Sequence, residues 1–406
     1  MKSFERIVAL GGAGNMGRVA VRTAASLEGI GEIVVADRNL ASAERVAAEA
    51  GRSAKAKLRA ERIDVTDSAA LNALLGGAGA VLNTTGPFYK FALPILRAAI
   101  QTGTHYLDIC DDWEPTIEMM RLNRSAAEAG ATAVIGLGAS PGVSNLMAKM
   151  AAHELDEVED LYTAWPVDVP MAGAAIIEER EGLVDASGAP SAAMIHFMQQ
   201  ISGAIRVVEG GQLVDRPPLA AVELEFPGRG RGCAYTVGHP EPLTMRETLR
   251  IRGRSACLVV LSTGALALLK YLGSALDRKR LTNQQAAAIM LAPGTWQKIR
   301  AGLRMFGLKG PGELPAFFAL ALGRKSGKAA RAGVTVTAFP AGMANATGVP
   351  LALGLGQLIE GRIQARGVFA PEAVMEPERL FDQIAPYCVP PAHRGSDFVK
   401  VTVEAG

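Results

Sequence analysis

Gly12-Ala13-Gly14-Asn15-Met16-Gly17 stands directly behind the apolar run Ile7-Val8-Ala9-Leu10. A buried strand that runs through a glycine turn into a helix is suited to hold a pyrophosphate. Gly12 permits the tight turn, Gly14 lets the backbone approach the phosphates, and Gly17 lets the helix lie close on the sheet. The helix N-terminus then turns free N–H groups and positive dipole toward the anion. A second apolar run, Ile33-Val34-Val35-Ala36, ends in Asp37, 20 residues past Gly17. A carboxylate there is placed to accept hydrogen bonds from the adenosine ribose. Asp37 favours NAD, whereas the adjacent Arg38 can pair with the 2′-phosphate of NADP, so the expected cofactor is NAD or NADP. Asp64 sits either near the adenine or at a helix cap.

Further groups fall where later strands end. Thr84-Thr85-Gly86-Pro87 forms a rigid turn suited to flank the nicotinamide half, and Phe88 and Tyr89 after it either face a substrate or pack. Gly136–Asn145 is a second strand–glycine–helix unit, carrying Ser140, Ser144 and Asn145 around a helix start that suits a carboxylate. A plainer reading makes Ser140 an N-cap and Pro141 the first helical residue. His239-Pro240-Glu241 places an imidazole and a carboxylate two residues apart, and an extended segment would point both to one side, as a proton-handling pair needs. In a proline-stiffened segment the same pair can be structural. Cys110, Cys233, Cys257 and Cys388 form no Cys-x-x-Cys pair, so neither a disulfide nor a metal site is expected.

The elements that must position these residues alternate strand and helix through residue 150, the pattern of a doubly wound parallel sheet. After the first two units the expected order is strand Lys57–Asp64, helix Ser68–Leu75, strand Ala80–Thr84, helix Phe91–Thr102, strand His105–Asp108, helix Pro115–Ala129 and strand Thr132–Gly136. Beyond it, strand-like pieces at Val158–Trp165, Ala221–Phe226, Cys233–Val237 and Val334–Ala338 mix with Ala/Leu-rich stretches between 256 and 323, an α+β pattern. Arg324–Arg331 reads as a surface loop, and the tail from Ala346 as helical through Ile363. The expected domains are 1–150, 151–345 and a C-terminal segment, 346–406.

At 406 residues two domains are expected, and 49% hydrophobic with 20% charged residues describes a packed globule. A net charge of +2 argues against a nucleic-acid partner. The run Ala256–Leu269 falls short of the ~20 residues a spanning helix needs and reads as a buried helix, so membrane contact is not expected. The chain leads straight into its first strand, so no signal peptide and a reducing cytoplasmic setting are expected.

Together, Val8–Gly17, Val81–Phe88, Thr102–Asp108, Gly138–Asn145, Val237–Thr244, Thr347–Pro350 and Gly367–Glu372 resemble the saccharopine dehydrogenase-like NAD(P)-dependent oxidoreductases. The resemblance implies a Rossmann-type α/β domain plus an α+β substrate and dimerisation domain, with a C-terminal segment returning to the first. It implies hydride transfer at the CH–NH bond of an amino-acid-derived amine or imine, and a homodimer. Tyr106 looks like the counterpart of an active-site tyrosine, and Asp108 or the His239/Glu241 pair are further candidates for the base. Where relatives carry Asp-Pro-Gly, this chain has Ser140-Pro141-Gly142, which removes an acid and points to a divergent substrate. An enoyl or lipid-type reductase of the same family and a non-catalytic dinucleotide sensor are the alternatives. A short-chain dehydrogenase is disfavoured, because no tyrosine has lysine four residues on.

Overall fold

The computed structural model describes residues 4–170, 183–184 and 188–405. The chain divides into two compact units, one of residues 1–143 and 340–387, the other of residues 144–339 and 388–406. The first boundary falls seven residues before the expected one at 150. The tail also divides: its first part belongs to the first unit, whereas Val399–Ala405 pairs with Lys328–Val336 in the second unit's sheet.

In the first unit, β1 (Arg6–Leu10), β2 (Glu32–Asp37), β3 (Lys57–Arg62), β4 (Ala80–Asn83), β5 (His105–Asp108) and β6 (Thr132–Val134) form one parallel sheet. Its order is β3-β2-β1-β4-β5-β6, with Gly367–Phe369 added in parallel beyond β6. Both faces are covered by helices, which is why β1, β2 and β4 read as continuous apolar runs rather than alternating ones. The order reverses between β1 and β4, and a doubly wound sheet opens its ligand crevice at such a point. Local chemistry places the helices: Asp67 caps Ser68–Leu75 by accepting from the N–H groups of Ala69 and Ala70. Extended Pro87 starts Phe88–Thr102 three residues before the expected Phe91. The single helix expected over 115–129 is two, Trp113–Met120 and Asn123–Glu128, because Leu122 takes a non-helical ψ of 4° between them.

The second unit holds a mixed sheet in the order Ala221–Phe226, Gly230–Val237, Ser255–Val260, Glu157–Pro166, Phe318–Lys325, Lys328–Val336 and Val399–Ala405. The hairpin Ile205–Glu209/Gln212–Arg216 adjoins it at Ser255. Two expectations are corrected here. The run Ala256–Leu269 is not one buried helix: it is the strand Ser255–Val260, buried at every residue, followed by the helix Thr263–Asp277 that Ser262 caps. A strand covered on both faces has the same unbroken apolarity as a buried helix, and Val259-Val260 carries the strand preference. Arg324–Arg331 is not a loop but the tip of the hairpin Phe318–Lys325/Lys328–Val336. Ser326 and Gly327 turn it with φ of 51° and 76°, the left-handed pair that a two-residue hairpin requires. Among the described residues no helix is long and apolar enough to cross a membrane.

The helix Gly342–Ile359 returns to the first unit and packs against Asn15–Ala24, the helix that follows the glycine turn. Gly348 sets their approach: a Cβ there would lie 2.6 Å from the Met16 carbonyl oxygen and 2.8 Å from Val19 Cβ. Gly348→Val is expected to push the helices apart and cost about 1–3 kcal/mol, the usual range for overpacking. Equilibrium denaturation measures it, and unchanged stability would refute this packing.

Candidate active site

The glycine turn is tightly fitted to its surroundings at three glycines and less crowded at the fourth. A Cβ on Gly17 would lie 2.2 Å from the Gly11 carbonyl oxygen and 2.7 Å from Thr84 Oγ1, one on Gly12 2.9 Å from Ala9 O, and Gly11 adopts a φ of +68°. A Cβ on Gly14 meets only Gly11 O, at 3.3 Å. Gly14 is the N-cap of Asn15–Ala24, with no side-chain cap and no acid in the first turn. The first-turn N–H groups of Asn15, Met16 and Gly17 lie ahead of any carbonyl four residues back, so an anion could bind there. Asp37 at the end of β2 accepts from the N–H groups of Ala13 (3.3 Å) and Asn39 (3.0 Å), which holds its carboxylate beside the turn. Exposed Arg38 helps hold the Asp64 carboxyl below its ordinary range, after the larger effect of Thr66, which donates to Asp64 from its hydroxyl and backbone.

Across the sheet reversal, Thr84 Oγ1 lies 3.0 Å from the carbonyl oxygens of both Leu10 and Gly11, tying β4 to the turn. The Thr85 hydroxyl is buried with no hydrogen-bond partner. An orphaned hydroxyl and an uncapped helix end, on adjacent strands, fit a dinucleotide laid across the reversal: Asn15–Gly17 would hold its phosphates, Asp37 its ribose, and the turn Thr84–Pro87 the nicotinamide side.

The register of β4 on β5 pairs Val81 with Tyr106 and Asn83 with Asp108. Asn83 Nδ2 donates to the Tyr106 hydroxyl (2.9 Å), which donates to Asp108 Oδ2 (2.6 Å). Asp108 Oδ1 accepts from the backbone N–H groups of Gly136 (2.7 Å) and Cys110 (3.1 Å). All three side chains are buried. Burial pushes the Asp108 carboxyl up to about 6, although every hydrogen bond it accepts opposes the shift. Burial and the neighbouring carboxylate drive the Tyr106 phenol well above its ordinary range, so the phenol keeps its proton.

The second unit contains a separate buried cluster. Pro240 has helical backbone angles and Glu241 begins the helix Glu241–Thr248, so the segment is not extended as expected. Glu241 nevertheless meets His239, Oε2 to Nδ1 at 2.9 Å. Glu241 Oε1 accepts from Ser144 Oγ at 3.0 Å and lies 3.7 Å from Cys257 Sγ; Asn145 Nδ2 donates to Thr244 Oγ1 at 3.2 Å. Burial opposes the His239 imidazolium, but Glu241 and Cys257 outweigh it and hold the pKa well above the ordinary histidine range. The buried Cys257 thiol is pushed up, chiefly by desolvation. One ligating atom each from His239, Glu241 and Cys257 lies within 4.8 Å of the others, donor types that a transition metal takes, and these atoms already pair with one another.

Other expected site residues are placed differently. Phe88 is in the apolar core, since the helix begins there and turns its ring inward, while Tyr89 is 56% exposed and donates its backbone N–H to Asp112. Ser140 is not a helix cap: the turn closes through Gly138 N–H to Pro141 O (2.8 Å) and Val143 N–H to Gly138 O (3.0 Å), and the helix starts at Val143. Ser144 and Asn145 belong to the second unit and Ser140 to the first. Asn83 and Cys257 escaped the sequence reading. The first lies beside Thr84 in a strand end already singled out, but its link to Tyr106 depends on cross-strand register. The second carries no local signal, because it reaches Glu241 from another element.

Residues 7–134 match the family model of the saccharopine dehydrogenase NADP binding domain. The carboxyaminopropylagmatine dehydrogenase of Synechocystis is 30% identical over 158 residues, 37% of this chain and 39% of that protein. The trans-acting enoyl reductase of Mycobacterium leprae is 29% identical over 133 residues, 32% of each. The aligned region thus spans between about a third and two-fifths of these curated relatives. Saccharomyces cerevisiae saccharopine dehydrogenase (L-Glu forming), solved without ligand, superposes with a TM-score of 0.58 at 15% identity, over 99% of this chain and 100% of that one. Legionella pneumophila homospermidine synthase, solved with NAD, gives 0.55 at 14% identity, over 99% of this chain and 91% of that one. These two likenesses establish the fold. Residues 7–134 thus match the NADP binding domain of saccharopine dehydrogenases, and the chain shares the fold of the saccharopine dehydrogenase structure.

Proposed function

We propose that this protein is an NAD(P)-dependent oxidoreductase acting on the C–N bond of a small amino-acid-derived amine or imine. The observation that carries the reading is the Asn83–Tyr106–Asp108 chain at the carboxyl ends of β4 and β5, on the opposite side of β1 from the ribose-directed Asp37. The bound nicotinamide would supply or accept the hydride at its C4. Gly14 gives the backbone its close approach to the phosphates, and Asp37 orients the ribose. Asp108 is ionised above pH 6 and is the first unit's candidate base, taking the Tyr106 proton only as the Tyr106 oxygen takes one from the substrate amine, so that the phenol stays protonated. His239 is the second unit's candidate acid; its pKa is raised by the Glu241 carboxylate it faces, as that of Asp108 is raised by burial. Ser144 and Asn145 hold the segment from Glu241 to Thr244 in place, and Tyr89 and Ser140 contribute to the substrate side. With serine at position 140, an iminium already bearing positive charge suits the site in the reductive direction. A cytoplasmic homodimer completes the reading.

Gly14→Val is expected to weaken NADH and NADPH binding by about 100-fold, ~2.7 kcal/mol, while leaving the thermal midpoint close to wild type. Unchanged fluorescence enhancement of the reduced cofactor would refute the nucleotide assignment. In the oxidative direction kcat/KM should rise with pH through about 6, because the Asp108 base acts only when deprotonated. Asp108→Asn removes that limb, and its persistence would show that Asp108 is not the base. Screening oxidation of both reduced cofactors against oxo acids paired with amines tests the chemistry directly. Turnover supports it; turnover of enoyl thioesters instead identifies the lipid-type reductase, and binding without any turnover a sensor.

A further inference from the structure

The helix Thr295–Gly302 and the turn that follows carry a pattern the dinucleotide chemistry does not use. Ala301 is this helix's buried residue and joins the second unit's apolar cluster. Arg304, just beyond it, stacks over Tyr271 at 5.7 Å and donates to the Lys270 carbonyl, fixing the segment to the helix Thr263–Asp277. At 100° per residue, Trp296, Ile299 and Leu303 form a stripe on the side away from Ala301, and Phe306 follows in the turn. These four are 73%, 48%, 79% and 99% exposed, and Met305 beside them is 42% exposed. Isolated apolar side chains on a surface are ordinary; a contiguous set of large ones on one element marks an interaction site.

Charge identifies the occupant. Residues 278–312 contain seven Lys and Arg and no Asp or Glu, and Lys298 and Arg300 are exposed on the same helix as Trp296 and Ile299. We propose that Thr295–Leu308 is a surface anchor for an anionic phospholipid bilayer, with Trp296, Ile299, Leu303 and Phe306 entering the headgroup–acyl boundary and Lys298 and Arg300 facing the phosphates. A short helix with an aromatic and aliphatic face, flanked by cations and free of acids, is the composition that lies in a bilayer interface. A second copy of this chain is a poorer partner, since a two-fold contact would set the cations of each segment against themselves. This anchor is distinct from a spanning segment and from the apolar run at 256–269, which is interior.

The test uses the full-length protein with vesicles of phosphatidylcholine alone and of phosphatidylcholine mixed with phosphatidylglycerol. The protein is expected to sediment with the anionic vesicles, to lose that binding as salt rises, and to shift its tryptophan emission to the blue on binding. Trp296→Glu with Phe306→Glu should reduce vesicle partitioning at least about tenfold. NAD(P)H binding and the thermal midpoint should be unchanged, since both side chains are exposed. Lys298→Gln with Arg300→Gln should reduce only the preference for anionic vesicles. Failure to bind either vesicle, or binding that the double glutamate variant leaves intact, overturns the proposal. So does light scattering that shows a wild-type oligomer dispersed by the same variant, which would make the patch a self-interface.

Discussion

An uncapped helix end behind β1 governs the first unit. A helix start leaves N–H groups without carbonyl partners, and helices such as Leu40–Gly51 and Ser68–Leu75 meet the need with a capping side chain. Here the cap is Gly14, which has no side chain to offer. The glycines around it are required for different reasons. Gly17 and Gly12 are excluded from bearing a Cβ by the protein's own atoms, and Gly11 by its left-handed φ. At Gly14 a Cβ would meet one backbone oxygen, Gly11 O, at 3.3 Å, so the fold crowds this position less than the other three. The sheet reversal between β1 and β4, the grip of Thr84 on the turn and the packing of Gly348 on the following helix all hold this one end in position.

The titratable groups are divided between two dry compartments, one in each unit. In the first, burial raises a carboxyl that the three hydrogen bonds it accepts, from Tyr106, Gly136 and Cys110, would otherwise keep acidic. In the second, a carboxylate overrides burial and keeps an imidazole charged. Desolvation disfavours charge in both places, so the difference lies in what faces each group. Asp108 faces neutral donors, which soften but do not reverse the cost. His239 faces Glu241, itself steadied by Ser144.

The sequence made the first unit largely legible because its signals are local: an apolar strand, a glycine turn, a helix start and an acid at the next strand end. Position 37 could be found by counting. The chain from Asn83 to Asp108 was half legible: Tyr106 and Asp108 stand on one strand, while Asn83 reaches them through strand pairing that periodicity does not reveal. The second unit was harder. Hydropathy cannot separate a strand buried on both faces from a helix, and Ser255–Val260 was misread for that reason. The hairpin around Ser326-Gly327 hid among Lys and Arg, whose side chains suit an exposed strand tip as well as a loop. The stripe on Thr295–Gly302 gives no run in the sequence because cations interrupt it, and the unbroken apolarity lies instead in the interior at 256–269.

The pairing of Gly367–Phe369 with Thr132–Val134 has a consequence for biosynthesis. As the chain leaves the ribosome, the dinucleotide unit emerges first but lacks its seventh strand and the helix carrying Gly348. Both arrive only after the second unit's central strands have been translated. The second unit then waits for its own last strand, Val399–Ala405. A chain ending before Gly367 would leave Thr132–Val134 without its neighbouring strand, whereas one ending between Phe369 and Val399 would bare only Lys328–Val336.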